Sequence, residues 1–318
     1  MEDKILFYEG LVVKITGKEY TVFTKDGKKY KCVIKGNFRI KDFKATNPVA
    51  IGDYVDFEWY ESKKLGYIKN IKERKNYIIR KSAKLSKQFQ IIAANVDKAF
   101  LIVTLIKPKT HTEFIDRFLA TAEAYNINAG LIFNKIDLYT TEELENELFY
   151  LETVYKQIGY EVLKISVKEK LNIEEVKKST KNKINLFTGH SGVGKSSLIK
   201  ALIPGIEIKI GNLSEYHLKG KNTTSHSEMF ELPYGGYLID TPGIKGFGLY
   251  EFDKNEISHF FPEIFEIGKN CEFNNCTHTH EPNCKVKEAV EEGKIAPTRY
   301  DSYLDIFFDE NEKYRKPF

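Results

Sequence analysis

The chain has 318 residues, of which 42% are hydrophobic and 30% are charged, and its formal net charge is +4 at pH 7. This length favours two or three domains, and the composition is that of a soluble globular protein. No apolar run approaches the ~20 residues of a membrane span, and the N-terminal MEDKILFYEG lacks the features of a signal peptide. We therefore expect a cytoplasmic protein.

Charge is unevenly distributed along the chain. Residues 1–90 contain 21 Lys and Arg against 11 Asp and Glu, whereas the remaining residues contain 28 against 34. A basic module commonly binds a polyanion, and such contacts make binding steeply dependent on salt. The alternative is that these basic side chains are simply solvated. Composition alone leaves both interpretations open.

Residues 4–72 contain short alternating stretches separated by turns, without a helical pattern. The sequence KDGKK at residues 25–29 places Asp-Gly between two such stretches, which is typical of a β-hairpin. Several short strands in succession predict a small barrel, and an OB-fold fits best because that barrel presents a face to oligonucleotides. We predict an RNA-binding OB-fold domain at residues 1–72.

From residue 73 onward, apolar strands alternate with helices. A basic linker at residues 73–90 comes first. The continuous apolar run at residues 99–106 is then typical of a strand buried on both faces of a parallel sheet. Helical segments and further buried strands follow it in alternation. We predict an α/β domain with a doubly wound sheet at residues 73–248, counting the linker.

The sequence GHSGVGKS follows an apolar strand, precedes a helical segment, and matches the phosphate-loop pattern G-x-x-x-x-G-K-[ST]. Its glycines allow backbone N–H groups to surround a phosphate, and the helix N-terminus adds partial positive charge. In this pattern Lys195 reaches the β/γ-phosphate oxygens and Ser196 binds Mg²⁺. The candidate nucleotide-binding residues of this segment are Gly189, His190, Ser191, Gly192, Val193, Gly194, Lys195, Ser196 and Ser197.

Two later segments are candidate switch elements. The apolar strand in YLIDTPG ends at Asp240, which would hold Mg²⁺ through water, and the N–H of Gly243 would sense the γ-phosphate. The segment GKNTTS supplies Thr223 and Thr224, either of which could close over the metal. Together with the two phosphate-loop residues, the candidate catalytic set is Lys195, Ser196, Thr223, Thr224, Asp240 and Gly243.

A guanine-reading pattern, NKID, ends a buried strand before the phosphate loop. Its Asp137 carboxylate can accept hydrogen bonds from both the N1–H and the exocyclic amine of guanine, which adenine does not offer. The next strand ends in ISV, whose backbone could contact guanine O6, although Val167 departs from the usual Ser-Ala. The candidate base-binding residues are Asn134, Lys135, Ile136, Asp137, Ser166 and Val167.

The two nucleotide motifs stand in the reverse of the order that is usual in G-domains, where the phosphate loop comes first. A parallel sheet depends on which strands are neighbours and not on which loop joins them, so a permuted chain can build the same site. The sequence therefore predicts a circularly permuted P-loop GTPase domain.

Three of the four cysteines are crowded into CEFNNCTHTHEPNC. Cys271, Cys276 and Cys284, with either His278 or His280, form a Cys₃His set that would close a tetrahedral structural zinc site. Helical segments follow the last cysteine, and a small metal knuckle alone could not stabilise them. We predict a helical zinc-binding domain at residues 249–318.

Taken together, these motifs resemble the circularly permuted ribosome-biogenesis GTPases of the RsgA family, also called YjeQ. The resemblance covers nearly the whole chain and includes IAANVD, GHSGVGKSSL, DTPG, C-x₄-C-x-H-x₅-C, EEGKI and RYDSY. It implies a factor that hydrolyses GTP on the 30S ribosomal subunit and then leaves it. It also selects His278 as the zinc ligand. Asn222 stands where members often carry His, so no catalytic role transfers to that position.

The resemblance implies GTP as substrate, Mg²⁺ and one structural Zn²⁺ as cofactors, and the 30S subunit with its 16S rRNA as partner. We expect a monomer that binds neither DNA nor membrane. Ile244 follows DTPG where Ras-like enzymes carry glutamine, so we expect slow hydrolysis by the isolated protein.

Two rival functions are also compatible with a phosphate loop. One is a non-hydrolysing RNA-binding protein that uses guanine nucleotide as a structural ligand, and the other is a P-loop kinase for a small molecule. The intact Lys195, Ser196 and Asp240 disfavour the first. The NKID pattern disfavours the second.

Overall fold

The computed structural model describes residues 4–34, 48–81, 89–206, 227–240 and 253–309. These residues form two compact units. The first contains the described residues of Met1–Asp97, Thr180–Phe187 and Gly205–Gly246, and the second contains those of Lys98–Ser179, Thr188–Pro204 and Phe247–Phe318. The units cut across the three predicted domains, whose boundaries stay a prediction.

Five strands of the first unit form a closed barrel. They are β1 (Ile5–Thr16), β2 (Glu19–Thr24), β3 (Lys29–Ile34), β4 (Tyr54–Tyr60) and β5 (Leu65–Ile71). Strand β1 pairs with both β2 and β4, and the circle closes through the β2–β3, β3–β5 and β4–β5 pairs. Alternate side chains fill the interior, among them Val12, Val22, Phe57 and Ile68, each no more than 1% exposed. The predicted barrel is confirmed, including the turn between β2 and β3.

The described part of the first unit contains five more strands besides those of the barrel. Strands β6 (Tyr77–Lys81) and β7 (Phe89–Ala94) form an antiparallel pair, so the segment predicted as a basic linker contributes a strand. Strand β11 (Ile184–Thr188) runs parallel to β13 (Tyr237–Asp240). Strand β12 (Ser227–Glu231) pairs antiparallel with both β13 and β1 of the barrel.

The second unit has the expected α/β alternation. It contains β8 (Lys98–Val103), α1 (Thr112–Ala124), β9 (Ala129–Phe133), α2 (Glu142–Ile158), β10 (Glu161–Lys164), α3 (Ile173–Thr180) and α4 (Lys195–Leu202). Strands β8, β9 and β10 are parallel, and all six residues of β8 are buried. This confirms the predicted α/β class, because strands buried on both faces belong to parallel sheets covered by helices.

The second unit also contains a C-terminal group of short helices. A 3₁₀ segment at Lys254–Phe260 precedes α5 (Pro262–Gly268), α6 (Lys285–Glu291) and α7 (Pro297–Phe308). Asp253 and Glu256 form a capping box that fixes the start of this group. Over the residues described, no helix has the length and apolarity required to cross a membrane.

Candidate functional site

The guanine-reading loop begins where β9 ends. The buried Asn134 is tied to strand β8 by its backbone N–H, which donates to the Val103 carbonyl at 2.9 Å. Its side-chain Nδ2 donates to the carbonyl of Val193 in the phosphate loop at 2.8 Å. Its Oδ1 accepts from the N–H of Val167 at 3.3 Å. One amide side chain therefore joins the three loops in which sequence placed the nucleotide.

Lys135 makes a second link between the same loops. Its backbone is left-handed, with φ of 65°, and it precedes a 3₁₀ turn at Ile136–Leu138. Its Nζ donates to the carbonyl of Gly192 at 2.7 Å and also to the carbonyl of Lys107. Residues more than fifty positions apart in the sequence thus lie in direct contact.

Asp137 is held by a neighbouring hydroxyl. The Ser166 hydroxyl donates to Asp137 Oδ1 at 2.5 Å and accepts from the N–H of Glu169 at 3.1 Å. Ser166 is fully buried, whereas Asp137 is half-buried. Because the serine is fixed from its other side, it orients the carboxylate that would read the guanine edge.

Tyr139 holds the guanine-reading loop through two hydrogen bonds of its hydroxyl. Its hydroxyl donates to the Asn134 carbonyl at 2.7 Å and accepts from the N–H of Leu105 at 2.9 Å. Burial raises the pKa of Tyr139 to about 12, so the hydroxyl keeps its proton at neutral pH and remains a donor. No sequence signal marks this residue, because a tyrosine just past NKID belongs to no nucleotide motif.

The phosphate loop runs from β11 to α4, as predicted. Its Gly192 and Gly194 have φ of 86° and 97°, in the left-handed region that glycine tolerates best. A Cβ atom on Gly194 would lie 2.2 Å from Asn134 Nδ2, and one on Gly189 would lie 2.6 Å from the Ile102 carbonyl oxygen. These glycines are therefore required by the close packing of the loop as well as by its conformation.

One partner of the phosphate loop was not anticipated. The His190 ring lies against the ring of Phe114 in α1, with centroids 3.9 Å apart and planes 30° apart. Partial burial, together with the nearby His111, lowers the pKa of His190, so the imidazole favours its neutral form. The helical pattern around Phe114 predicted α1 but did not indicate that this residue meets the loop.

The predicted switch residues are placed only in part. Asp240 is the last residue of β13, in the first compact unit. Thr223, Thr224 and Gly243 lie outside the described residues, as do Asn222 and Ile244. Lys195 and Ser196 are half-buried in the first turn of α4, and Ser197 is exposed. The magnesium-binding roles stay predictions.

The C-terminal domain brings four metal-binding side chains together. The ligand atoms of Cys271, Cys276, His278 and Cys284 all lie within 4.8 Å of one another. Cys284 Sγ lies 4.0 Å from Cys271 Sγ, 3.8 Å from Cys276 Sγ and 3.5 Å from His278 Nδ1. Sulfur atoms bound to one tetrahedral zinc ion at ~2.3 Å stand ~3.8 Å apart. The donor set therefore fits Zn²⁺ without rearrangement.

The structure also separates the two histidines. His278 is buried in the cluster, whereas His280 is exposed and its Nδ1 lies 2.9 Å from the Thr279 hydroxyl. Burial lowers the pKa of His278, which favours the neutral imidazole that a metal requires. The sequence spacing alone had left both histidines open.

A ring of hydrogen bonds holds the metal-binding loop in place. Tyr300 and Tyr303 of α7 donate to the carbonyls of His278 and Thr277, both at 2.6 Å. Glu281 accepts from the N–H and hydroxyl of Thr277 and from the N–H of Thr279. Partial burial acts to raise the pKa of Glu281, but the Thr277 hydroxyl and the backbone N–H groups outweigh it and lower the pKa to about 2.

Comparison with known proteins gives a consistent result over nearly the whole chain. A family model described as RsgA GTPase matches residues 71–250, and one described as RsgA N-terminal domain matches residues 9–68. The small ribosomal subunit biogenesis GTPase RsgA 2 of Bacteroides thetaiotaomicron is 51% identical over 311 residues, covering 96% of this chain and 99% of the relative. The RsgA of Flavobacterium psychrophilum is 49% identical over 308 residues, covering 96% and 94%.

Two solved structures share the fold. YjeQ from Thermotoga maritima superposes with a TM-score of 0.79 at 34% identity, covering 95% of this chain and 98% of that one. YloQ, titled a circularly permuted GTPase, superposes with a TM-score of 0.76 at 31% identity, covering 95% and 94%. The circular permutation inferred from motif order is thus found in a protein of the same fold.

Proposed function

Because the chain belongs to the RsgA GTPase family, we propose that it hydrolyses GTP on the small (30S) ribosomal subunit and acts in the late maturation of that subunit. Family membership makes the chain a GTP hydrolase that uses GTP and Mg²⁺. The observation that best supports a single guanine-nucleotide site is the 2.8 Å hydrogen bond from Asn134 Nδ2 to Val193 O. It joins the guanine-reading loop to the phosphate loop.

The ribosomal partner is inferred from the names of the relatives and from the charge of the N-terminal region. The curated relatives are named for small ribosomal subunit biogenesis. The basic N-terminal region, with 21 Lys and Arg against 11 Asp and Glu in residues 1–90, suits contact with the phosphates of 16S rRNA. We infer that the barrel binds rRNA, that the protein acts as a monomer, and that its cysteine cluster holds one structural zinc ion.

Each predicted site residue has a role in this scheme. Asp137, oriented by Ser166, accepts from the guanine edge and so selects GTP over ATP. Lys195 would contact the β/γ oxygens, while Ser196 and Asp240 would hold the cation, which would neutralise charge on the phosphates. Thr223 or Thr224 would supply a further ligand to the cation, and the N–H of Gly243 would sense the γ-phosphate. Cys271, Cys276, His278 and Cys284 bind zinc for structure, with no open position for catalysis.

Hydrolysis by the free protein should be slow. An aliphatic Ile244 can neither donate to nor accept from the attacking water, so the group that positions this water must come from elsewhere. Binding to the ribosomal subunit would favour the competent arrangement of the switch, which is a population shift driven by binding.

The test compares hydrolysis of GTP and ATP by the wild type and by Lys195→Ala, each with and without 30S subunits at low salt. We expect turnover well below the roughly 1 to 10³ per second of typical enzymes for the free wild type, with GTP only. Addition of 30S subunits should raise it strongly, and Lys195→Ala should abolish both rates. Absence of hydrolysis despite tight GTP binding would favour the non-hydrolysing alternative.

A further inference from the structure

Helix α1 is buried between two parts of the second compact unit. Seven of its 13 residues are buried, and five of these are consecutive, so they extend all round the helix beyond the single apolar stripe of a surface helix. They are Ile115, Asp116, Phe118, Leu119, Ala120, Thr121 and Ala122. A helix enclosed in this way transmits displacement from one neighbour to another, because close-packed interiors deform little.

The C-terminal helices hold α1 through an ionic network whose Arg299 and Asp116 are fully buried. Arg299 of α7 is 0% exposed and donates to Glu263 of α5 at 2.6 and 3.1 Å. It also donates to Asp116 of α1 at 2.9 Å. The same Asp116 oxygen accepts from the Tyr155 hydroxyl of α2 at 2.8 Å. Buried charges depend on such partners, so this network fixes α7 against α1.

The apolar core of the C-terminal domain also includes α1. Ala120 belongs to the same cluster of buried residues as the metal-binding Cys284, together with Val286 and Tyr303, and Ala124 packs against it. Near the opposite end of α7, Arg117 pairs with Asp309 at 3.0 Å. The metal cluster and α1 therefore share one core.

Another side of α1 meets the phosphate loop. Phe114, 37% exposed, stacks on His190 at 3.9 Å. It stands two residues before Asp116, and at 3.6 residues per turn these two side chains project from different sides of the helix. One face of α1 thus contacts the C-terminal domain while another contacts the loop that would hold the nucleotide phosphates.

We propose that Phe114 is a positioning residue for the phosphate loop, and that α1 couples the C-terminal zinc domain to nucleotide binding through it. The loop's role as the GTP site rests on the proposed function. When the C-terminal domain shifts or loosens, the contacts of Asp116 and Ala120 displace α1. The Phe114 ring then displaces His190 in the phosphate loop. The zinc domain is then part of the machinery that sets nucleotide affinity, although none of its residues touches the nucleotide.

The first test compares Phe114→Ala with Phe114→Tyr, which keeps the ring, and with Phe149→Ala, which removes an aromatic residue 71% exposed on α2. Equilibrium binding of fluorescent GDP and GTP and thermal stability are measured for each full-length protein. Phe114→Ala should weaken nucleotide binding at least about fivefold, the lower end of typical coupling, without lowering Tm. Phe114→Tyr should restore affinity, and Phe149→Ala should leave it unchanged. Unaltered affinity in Phe114→Ala would overturn the proposal.

The second test is a double-mutant cycle. Arg117→Ala, which leaves the metal ligands intact, and Cys276→Ala are each made in the wild type and in Phe114→Ala. Either change should weaken nucleotide binding in the wild type and have a much smaller effect when Phe114 is already absent. Equal fold-changes in both backgrounds, or no change in the wild type, would show that α1 carries no coupling. No ribosome is needed, so a protein that binds GTP but gains nothing from 30S subunits would defeat the proposed function separately.

Discussion

The N-terminal barrel and the C-terminal helical domain are stabilised in different ways. The barrel closes on itself through paired strands, and its interior is filled by its own side chains. The C-terminal domain has helices of 7, 7 and 12 residues, too short to be stable alone. These helices pack on a Cys₃His cluster that could hold a metal ion, on a buried arginine and on α1. The core of the C-terminal domain is therefore completed by residues of α1.

The two regions also differ in charge. Residues 1–90 are basic, whereas residues 253–309 contain 6 Lys and Arg against 12 Asp and Glu. A basic N-terminal region suits a polyanion, whereas repulsion from phosphates disfavours extensive rRNA contact by the C-terminal domain. We infer that one terminal region serves binding and that the other serves the integrity of the nucleotide site.

Loss of a metal ligand should produce the largest difference in stability between the two regions. Cys276→Ala should release about one zinc ion, since binding free energy at a structural zinc site is folding free energy. Hydrogen exchange should then rise in residues 253–309 and in α1 but stay unchanged in the barrel. The converse finding, a metal-free wild type that keeps full protection in the C-terminal helices, would show that this domain does not need the metal.

Removal of one ion-paired arginine from each region compares the two ionic networks. Arg299→Met leaves the fully buried Asp116 and the partly buried Glu263 without their partner, and breaking a buried pair costs about 3–5 kcal/mol. Arg74→Met, three residues after the last barrel strand, leaves Asp53 without its partner, but the Arg74 side chain is 12% exposed and water can reach it, so we expect a smaller loss. Urea unfolding of both variants measures the difference. Equal destabilisation would mean that the two networks are equivalent.

The barrel's charge should matter for ribosome binding rather than for nucleotide binding. Replacing the exposed Lys18, Lys25 and Lys29 with alanine should weaken 30S binding and lower its salt slope by about one for each rRNA phosphate that is no longer neutralised. A matched control replaces three exposed lysines of the α/β region, Lys156, Lys178 and Lys200. If both triple variants bind 30S subunits like the wild type, the basic side chains of the barrel are merely solvated.

The smallest effect concerns acid stability of the metal-binding loop. Glu281 has its pKa lowered from 4.5 to about 2, so its carboxylate stabilises the fold fully above about pH 4.5. That contribution is lost as pH falls toward 2. The stability difference between wild type and Glu281→Gln should therefore be greatest near neutral pH and shrink over this window. A difference independent of pH between 6 and 3 would assign the effect to something other than the charge.

Much of the candidate nucleotide site could be predicted because each part is a local pattern. Short stretches of sequence were enough to predict three of its parts: the apolar run of β8, the glycines of the phosphate loop and the carboxylate of NKID. Cysteine spacing likewise indicated the metal-ligand cluster but left His278 and His280 open. The family resemblance selected His278, and this is the histidine that the fold buries in the cluster.

What could not be predicted depends on distant partners. Arg299 and Asp116 are separated by 183 positions, and an arginine or an aspartate inside a helical segment normally indicates an exposed face. Phe114 and His190 likewise belong to separate segments whose patterns are each satisfied locally. Strand β6 was assigned to a linker because its basic surroundings resemble a solvated connector. Such contacts follow from topology, which local periodicity does not encode.

Whether two motifs in reversed order form one guanine-nucleotide site can be decided with the variant Asp137→Asn. Asparagine can still accept from Ser166 through its amide oxygen, so the loop should keep its structure. Its NH₂ group, however, opposes the donors of guanine and suits the reversed ring of xanthosine triphosphate. Equilibrium binding of GTP and xanthosine triphosphate is measured for the wild type, for Asp137→Asn and for Asp305→Asn, an exposed control on α7. We expect Asp137→Asn alone to lose GTP affinity sharply and to gain affinity for xanthosine triphosphate. Unchanged GTP binding in this variant would show that NKID does not contact the nucleotide and would contradict a shared site.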